Sequence, residues 1–218
     1  MAIAIGNKTA SNQNPAGSSQ TKSHNMSTGA DGTLLVVITM SNSRNFTGCS
    51  YGGVTMTQVR NQNMGNLSQR QAMYILQSPL TGVNNIVVTF NGNQWNPTSI
   101  FAVSFTGAGG VDTHAGTGLL STPNSQSLTI VANSIIYASG VSTQGMSPYS
   151  IGGSTRPLEF QHNTNRQVGG GLSLTGLSAG AQNVSTKTTS GTVTNSRIAI
   201  LEASATPSGN SGNFLLCM

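Results

Sequence analysis

Apolar residues along this chain come in short runs separated by long polar stretches, and the shape of each run differs. Thr33–Met40 (TLLVVITM) is an unbroken aliphatic run about one strand long, which predicts a central strand covered on both faces. In the segment 86–90, Ile86, Val88 and Phe90 share one face, and Asn91-Gly92 after it has hairpin chemistry. Along 98–106, Phe101, Val103 and Phe105 point one way while Ile100, Ala102 and Ser104 point the other. Half-buried strands are predicted at 54–59 after a Tyr51-Gly52-Gly53 turn, and at 71–77 before Pro79 and a Thr81-Gly82 turn. Others fall around Leu128 and Ile130, Ile135–Tyr137, 168–175, 183–188 and Ile198–Leu201.

That makes about nine to eleven short strands with turn signals between them, the rhythm of an antiparallel sandwich or jelly roll. No segment shows helical spacing, and no fixed-period repeat points to a propeller or solenoid. Residues 107–123 and 145–166 read as long loops. The N-terminus has an apolar tip, Ala2–Ile5, then a polar tract whose residues 19–27 form a first polar strand. The expectation is an all-β protein: an antiparallel jelly-roll-like β-sandwich over 31–206, an extended N-terminal arm with its polar strand over 1–30, and an apolar C-terminal tail over 207–218.

Composition sharpens this. Gly, Ser, Thr and Asn number 27, 29, 26 and 22 of 218 residues, nearly half the chain, while charged residues are 6% against roughly 25% in ordinary soluble domains. Helical bundles and doubly wound nucleotide folds need the Ala, Glu, Lys and Leu that are scarce here. Nine Lys/Arg against four Asp/Glu give a net charge of +5, but no two cations adjoin, so there is no basic stripe for nucleic acid. The start of the chain has neither the basic region nor the apolar core of a signal peptide, and no run approaches a membrane span. Synthesis in a cytoplasm is expected, with any passage out of the cell by something other than a standard signal. Cys49 and Cys217 are the two cysteines, and nothing in their spacing requires a bridge.

Five segments in order, TLLVVITM, SYGGVTMTQV, QAMYILQSPLTGVNNIVVTFNG, SIFAVSFTGA and SRIAILEASAT, resemble a jelly-roll-like sandwich domain of phage virion proteins and some bacterial surface proteins. The resemblance spans roughly residues 20–205. It rests on structural motifs: the aliphatic strand, the Gly-Gly turn, the Pro-x-x-Gly turn before a β-branched strand, and the closing strand before a polar tail. It implies a building or adhesive module, and free-standing phage copies are capsid decoration or tail proteins.

Candidate chemistry is thin. The carboxylates are Asp31, Asp112, Glu159 and Glu202, and the imidazoles His24, His114 and His162. Asp112 and His114 share one side of an extended stretch, and a metal would need Glu159 or His162 as a third ligand; a pair of loop residues is the commoner meaning. Gly176-Leu177-Ser178-Ala179-Gly180 matches a nucleophile elbow, but a predicted strand follows where a helix is required, so it reads as a turn. Gly169-Gly170-Gly171 lacks the Lys and Ser/Thr of a phosphate loop and reads as close backbone approach. No catalytic residue, metal or cofactor is assigned, and the chain reads as a non-enzyme.

An assembly role follows instead. With three lysines the sheet edges have little charge protection. Both ends are apolar, so Ile3 and Ile5 at one end and Phe214, Leu215 and Leu216 at the other are interface candidates, with folding back on the chain's own sandwich as the competing outcome. Short side chains cost little entropy to bury. The expectation is a virion structural protein, a capsid decoration or cement protein that bridges the major capsid protein's subunits or other virion proteins and forms homo-oligomers. A tail-associated protein is a variant. The alternative is a carbohydrate-binding or adhesin module in which Trp95, in a loop between two strong strands, stacks on a host glycan.

Overall fold

The computed structural model describes residues 2–13, 17–27, 32–41, 44–63, 69–94, 98–121, 124–142, 149–151, 154–156, 160–164, 166–172, 177–186 and 192–202. The described residues contain strands and turns and no helix. The first half runs β1 (Ala4–Gln13), β2 (Gly17–Met26), β3 (Gly32–Ser41), β4 (Phe46–Tyr51), β5 (Val54–Thr55), β6 (Thr57–Asn63), β7 (Gln69–Gln77), β8 (Gly82–Gln94) and β9 (Thr98–Thr106). The second runs β10 (Ala108–Ser121), β11 (Asn124–Ile130), β12 (Ile135–Ser142), β13 (Tyr149–Ile151), β14 (Ser154–Arg156), β15 (Phe160–Thr164), β16 (Arg166–Leu172), β17 (Gly180–Thr186) and β18 (Thr192–Glu202).

These strands form four antiparallel sheets. Sheet A has the order β1-β9-β3-β7-β6 and sheet B the order β2-β8-β4-β5. Sheet C is β10-β18-β12-β16-β15 and sheet D is β11-β17-β13-β14. Adding nine to each strand number of A and B gives C and D, so the chain repeats one nine-stranded plan twice. No fixed period was visible in the sequence because the repeat lies in the wiring: connections differ in length and facing positions differ in residue. Register preserves it where packing is tightest. Val36 lies opposite Ala102 between β3 and β9, as Ile136 lies opposite Ala199 between β12 and β18.

The sheets stack in the order B, A, C, D, and each contact is apolar. Between B and A lie Leu34, Val36, Ile38, Phe46, Tyr51, Ile86, Val88, Ile100 and Ala102, all buried. Between A and C lie Leu35, Val37, Phe101, Val103, Phe105, Ile135, Tyr137, Ile198 and Ile200. Leu128, Ile130, Ile136, Ala138, Val184 and Ala199 fill the space between C and D. Both sides of β3 and β9 are therefore covered, as the TLLVVITM run and the two-faced 98–106 segment required. The Phe101 and Tyr137 rings stack across the A–C contact with centroids 5.6 Å apart and 13° between planes. Gln71 Nε2 adds a polar tie there, donating to Ser139 Oγ at 2.9 Å and to Thr39 Oγ1 at 3.2 Å.

Several expectations need correction. Residues 4–26 are not an arm outside the sandwich: β1 pairs along β9 and β2 along β8, each at a sheet edge. The "loop" 107–123 is mostly β10, a fourteen-residue strand whose Gly and Thr content hid it. The 145–166 stretch contains three short strands, β13 to β15. Asn91-Gly92 does not close a hairpin, because β8 runs on to Gln94. The tail 207–218 lies outside the described residues.

The two halves meet at one residue. Between β9 and β10 stands Gly107, with φ 65°, a backbone conformation that side-chain-bearing residues rarely adopt. Nearby, Thr33 Oγ1 donates to Ala108 O at 3.0 Å, pinning the start of β10 against β3. Phe101→Ala is expected to lower stability by about 3–5 kcal/mol by opening the A–C contact. Urea unfolding, read as a drop in midpoint with an unchanged slope, checks this.

Candidate functional site

The structure brings no catalytic constellation together from the candidates above. Asp112 Oδ2 accepts from the Val131 backbone N–H at 2.8 Å and from Ser134 Oγ at 3.4 Å, so this carboxylate holds the turn between β11 and β12. That turn includes Asn133 with φ 66°, a residue type that tolerates the left-handed region. His114 is exposed on β10, opposite Ile198. Among the described residues, no three His, Cys, Asp or Glu side chains gather closely enough to hold a metal. Glu159, Cys217, Trp95, Phe214, Leu215 and Leu216 lie outside the described residues. His162 is placed in β15, opposite Val168.

Residues 177–180 of the elbow-like string run directly into β17, as the turn assignment expected. Gly169, Gly170 and Gly171 lie in β16 and face Gly140, Ser139 and Ala138 of β12, so the glycines sit where backbones pair. At the N-terminus, Ile3 is 3% exposed and belongs to the A–C core, and Ile5 packs against the same cluster. The chain's own sheets cover both residues, which is the fold-back outcome and leaves Ile3 no surface for a partner.

Two features remain that the sequence did not single out. The first is a buried polar seam where edge strands β1 and β2 face each other. His24 is 1% exposed, with Nδ1 2.9 Å from Thr9 Oγ1, and its ring meets Tyr51 edge-on with centroids 6.2 Å apart. Tyr51 Oη donates to Gly82 O at 2.9 Å and contacts His24 O at 3.2 Å. Asn7 Nδ2 donates to Asn25 O at 2.8 Å, and Gln20 Nε2 reaches Thr98 O at 3.5 Å. Burial pushes the His24 imidazole down to about 4. Cys49, nearby in the B–A core, has its Sγ 3.5 Å from Met56 Sδ, and burial pushes its thiol up to about 12, so it is an inert packing residue.

The second feature is the outer face of sheet B. Alternation turns Ser19, Thr21, Ser23 and Asn25 of β2 outward, next to Thr89, Val87, Asn85 and Val83 of β8. Val87 in turn lies opposite Ser50 of β4. None of these side chains is charged. At one end, Val83, Leu80 and Val54 are 70%, 49% and 43% exposed around the Gly52-Gly53 turn. Gly52 has φ 56°, and a Cβ there would lie 2.9 Å from Leu80 Cδ1, so this turn shapes the rim of a shallow depression floored by Ser50, Asn85 and Val87. Periodicity could have found this face, since it is the polar side of β8, but nothing in the sequence marked it as outermost.

The seam gives a pH dependence with a definite sign. His24 binds its proton more weakly in the fold than in the unfolded chain, so stability is full above the unfolded value of 6.5 and is lost as pH falls toward 4. Between pH 7 and pH 4 the loss is expected to be about 3 kcal/mol. Urea midpoints across the range should show this slope in the native chain and a clearly shallower one in His24→Gln.

Comparison with known proteins finds no matching family model, no matching curated protein and no matching solved structure.

Proposed function

We propose that this chain is a non-enzymatic structural protein of a phage virion, acting as a capsid decoration or cement protein. The observation that carries this reading is the outer face of sheet B, whose outward side chains on β2 and β8 are uncharged and mostly short and polar, around an exposed valine. Such a surface loses little side-chain entropy when covered and exposes no charge to be desolvated. It suits a broad, shallow contact with a regular protein shell better than a deep small-molecule site, which would be concave and apolar with a few convergent polar groups.

The wiring supports the same reading. In each half the chain passes between two facing sheets, with the orders β1-β9-β3-β7-β6 and β2-β8-β4-β5 in the first and their counterparts in the second, β6 and β15 being extra edge strands. That alternation is the wiring expected of a double-sheet jelly roll, an architecture found in viral capsid proteins. The five strand motifs are divided between the units: four lie in the first half, and residues 196–202 of the closing segment lie on β18 of the second. One chain then offers two such units in fixed relation. In this role the protein stabilises a shell through many weak contacts acting together, each favouring the assembled state by mass action.

Co-sedimentation with phage shells assembled without this protein tests the proposal. Saturable binding at a fixed copy number per shell is expected, with a rise in the temperature at which shells disrupt. The double change Val83→Asp with Asn85→Asp places two like charges with no partner under the contact and should weaken binding more than about tenfold. Absence of binding by the native chain, or full binding by the double variant, would overturn the reading.

A further inference from the structure

Among the described residues, four sheets give eight edge strands, and an open edge is a row of backbone donors and acceptors that another strand can join. Most of the edges here carry a recognised form of protection. In sheet A, β1 has a register break between Ile5 and Lys8, and β6 has one between Gln58 and Arg60 with the arginine inside the strand. In sheet B, β2 has a break between Gly17 and Ser19 and carries Lys22, while β5 is two residues long. In sheet C, β10 has three breaks, and β15 is five residues ending in a tight return to Arg166. In sheet D, β14 is three residues and ends in Arg156.

The exception is β11, NSQSLTI. It pairs with β17 in unbroken register from Asn124 opposite Thr186 to Ile130 opposite Gly180, seven residues without a bulge, a proline or an ionisable side chain. The internal repeat supplies its control. The equivalent strand of the first half is β2, in the same place in the same plan, and that strand has both a register break and a lysine.

We propose that β11 is a self-association edge, pairing antiparallel with β11 of a second copy of this chain and joining two four-stranded D sheets into one continuous sheet. Three observations select a second copy as the occupant. Every strand pair among the described residues is antiparallel, and a strand meeting its own copy across a two-fold axis perpendicular to the sheet continues that pattern. The chain carries a net charge of +5, so two copies repel unless the contact lacks cations, and β11 and its neighbour β17 have none. Seven residues in unbroken register pair with themselves about their middle residue, so Ser127 faces Ser127 of the other copy, with Leu128 opposite Gln126. Ser127 and Thr129 are exposed while Leu128 and Ile130 stay in the C–D core, so the pairing leaves the fold unchanged.

This inference deepens the assembly reading but fails separately from it. Light scattering on the native chain should show a mass rising with concentration from 22.3 kDa toward twice that value. Ser127→Lys sets two ammonium groups against each other at the centre of the pair and should hold the mass at the monomer, with an unchanged circular dichroism spectrum. For a second readout, Ser127→Cys in a Cys217→Ser background leaves buried Cys49 as the one native thiol. Mild oxidation should then give covalent dimers at least roughly tenfold faster than Ser23→Cys on the equivalent strand β2. A native chain that stays monomeric, a Ser127→Lys variant that still dimerises, or equal cross-linking at the two positions would each overturn the proposal. Shell binding retained by a monomeric Ser127→Lys variant would leave the virion reading standing by itself.

Discussion

The contact between sheets A and C is what the rest of the molecule hangs on, because it removes the last solvent-facing side from both. A two-sheet sandwich ordinarily keeps one polar face per sheet. Here Phe101, Val103 and Phe105 on β9 and Leu35 and Val37 on β3 pack against Ile135, Tyr137, Ile198 and Ile200, while the opposite sides of the same strands fill the outer cores. Neither half can present that face to water without exposing a continuous aliphatic and aromatic surface. The chain is thus two sandwiches that behave as one body, and polarity is displaced to sheets B and D and to the edges.

This arrangement explains which parts of the fold were legible in the sequence. Strands with strong patterns are those buried on both sides or cleanly alternating: TLLVVITM, the 86–90 segment and the two-faced 98–106 segment all take the places their patterns required. The second half is harder to read because its strands are made of Gly, Ser and Thr, whose pleated conformation is held by neighbours and not by their own preference. β10 is the clearest case, fourteen residues with few large apolar side chains, held by pairing with β18 along its length. The repeat was hidden for a related reason: strand order survives extensive change in residue identity, whereas sequence periodicity does not.

The candidate residues divide along the same line. Ile3 and Ile5 have the pattern of an interface tip, with folding back as the competing outcome, and sequence could not show that Ile3 is buried in the A–C core with Ile5 packed against it. Asp112 and His114 are two residues apart as an active-site pair might be, yet the carboxylate is committed to the 131–134 turn. His24 gave no signal, because a histidine in a polar stretch looks solvated until the facing strand is known. The outer surface of sheet B is made from ordinary residues, and its meaning lies in being outermost, a property of the stack.

Gly107, the single residue between the two halves, also fixes an order of events during synthesis. Residues up to Thr106 complete sheets A and B, whereas the middle of sheet C waits for β18, which lies between β10 and β12 and leaves the ribosome last. At about 5–20 residues per second, the second half takes on the order of 5–20 s to make. Throughout that interval the first half has an uncovered apolar face and no partner of its own to close it. Nascent chains on one polysome meet while bearing the same exposed surface, so a neighbour's second half can take the place meant for the chain's own. Vectorial synthesis thus makes the exchange of halves between chains the characteristic misassembly of this architecture, and the very short link at Gly107 opposes it by keeping the correct half closest.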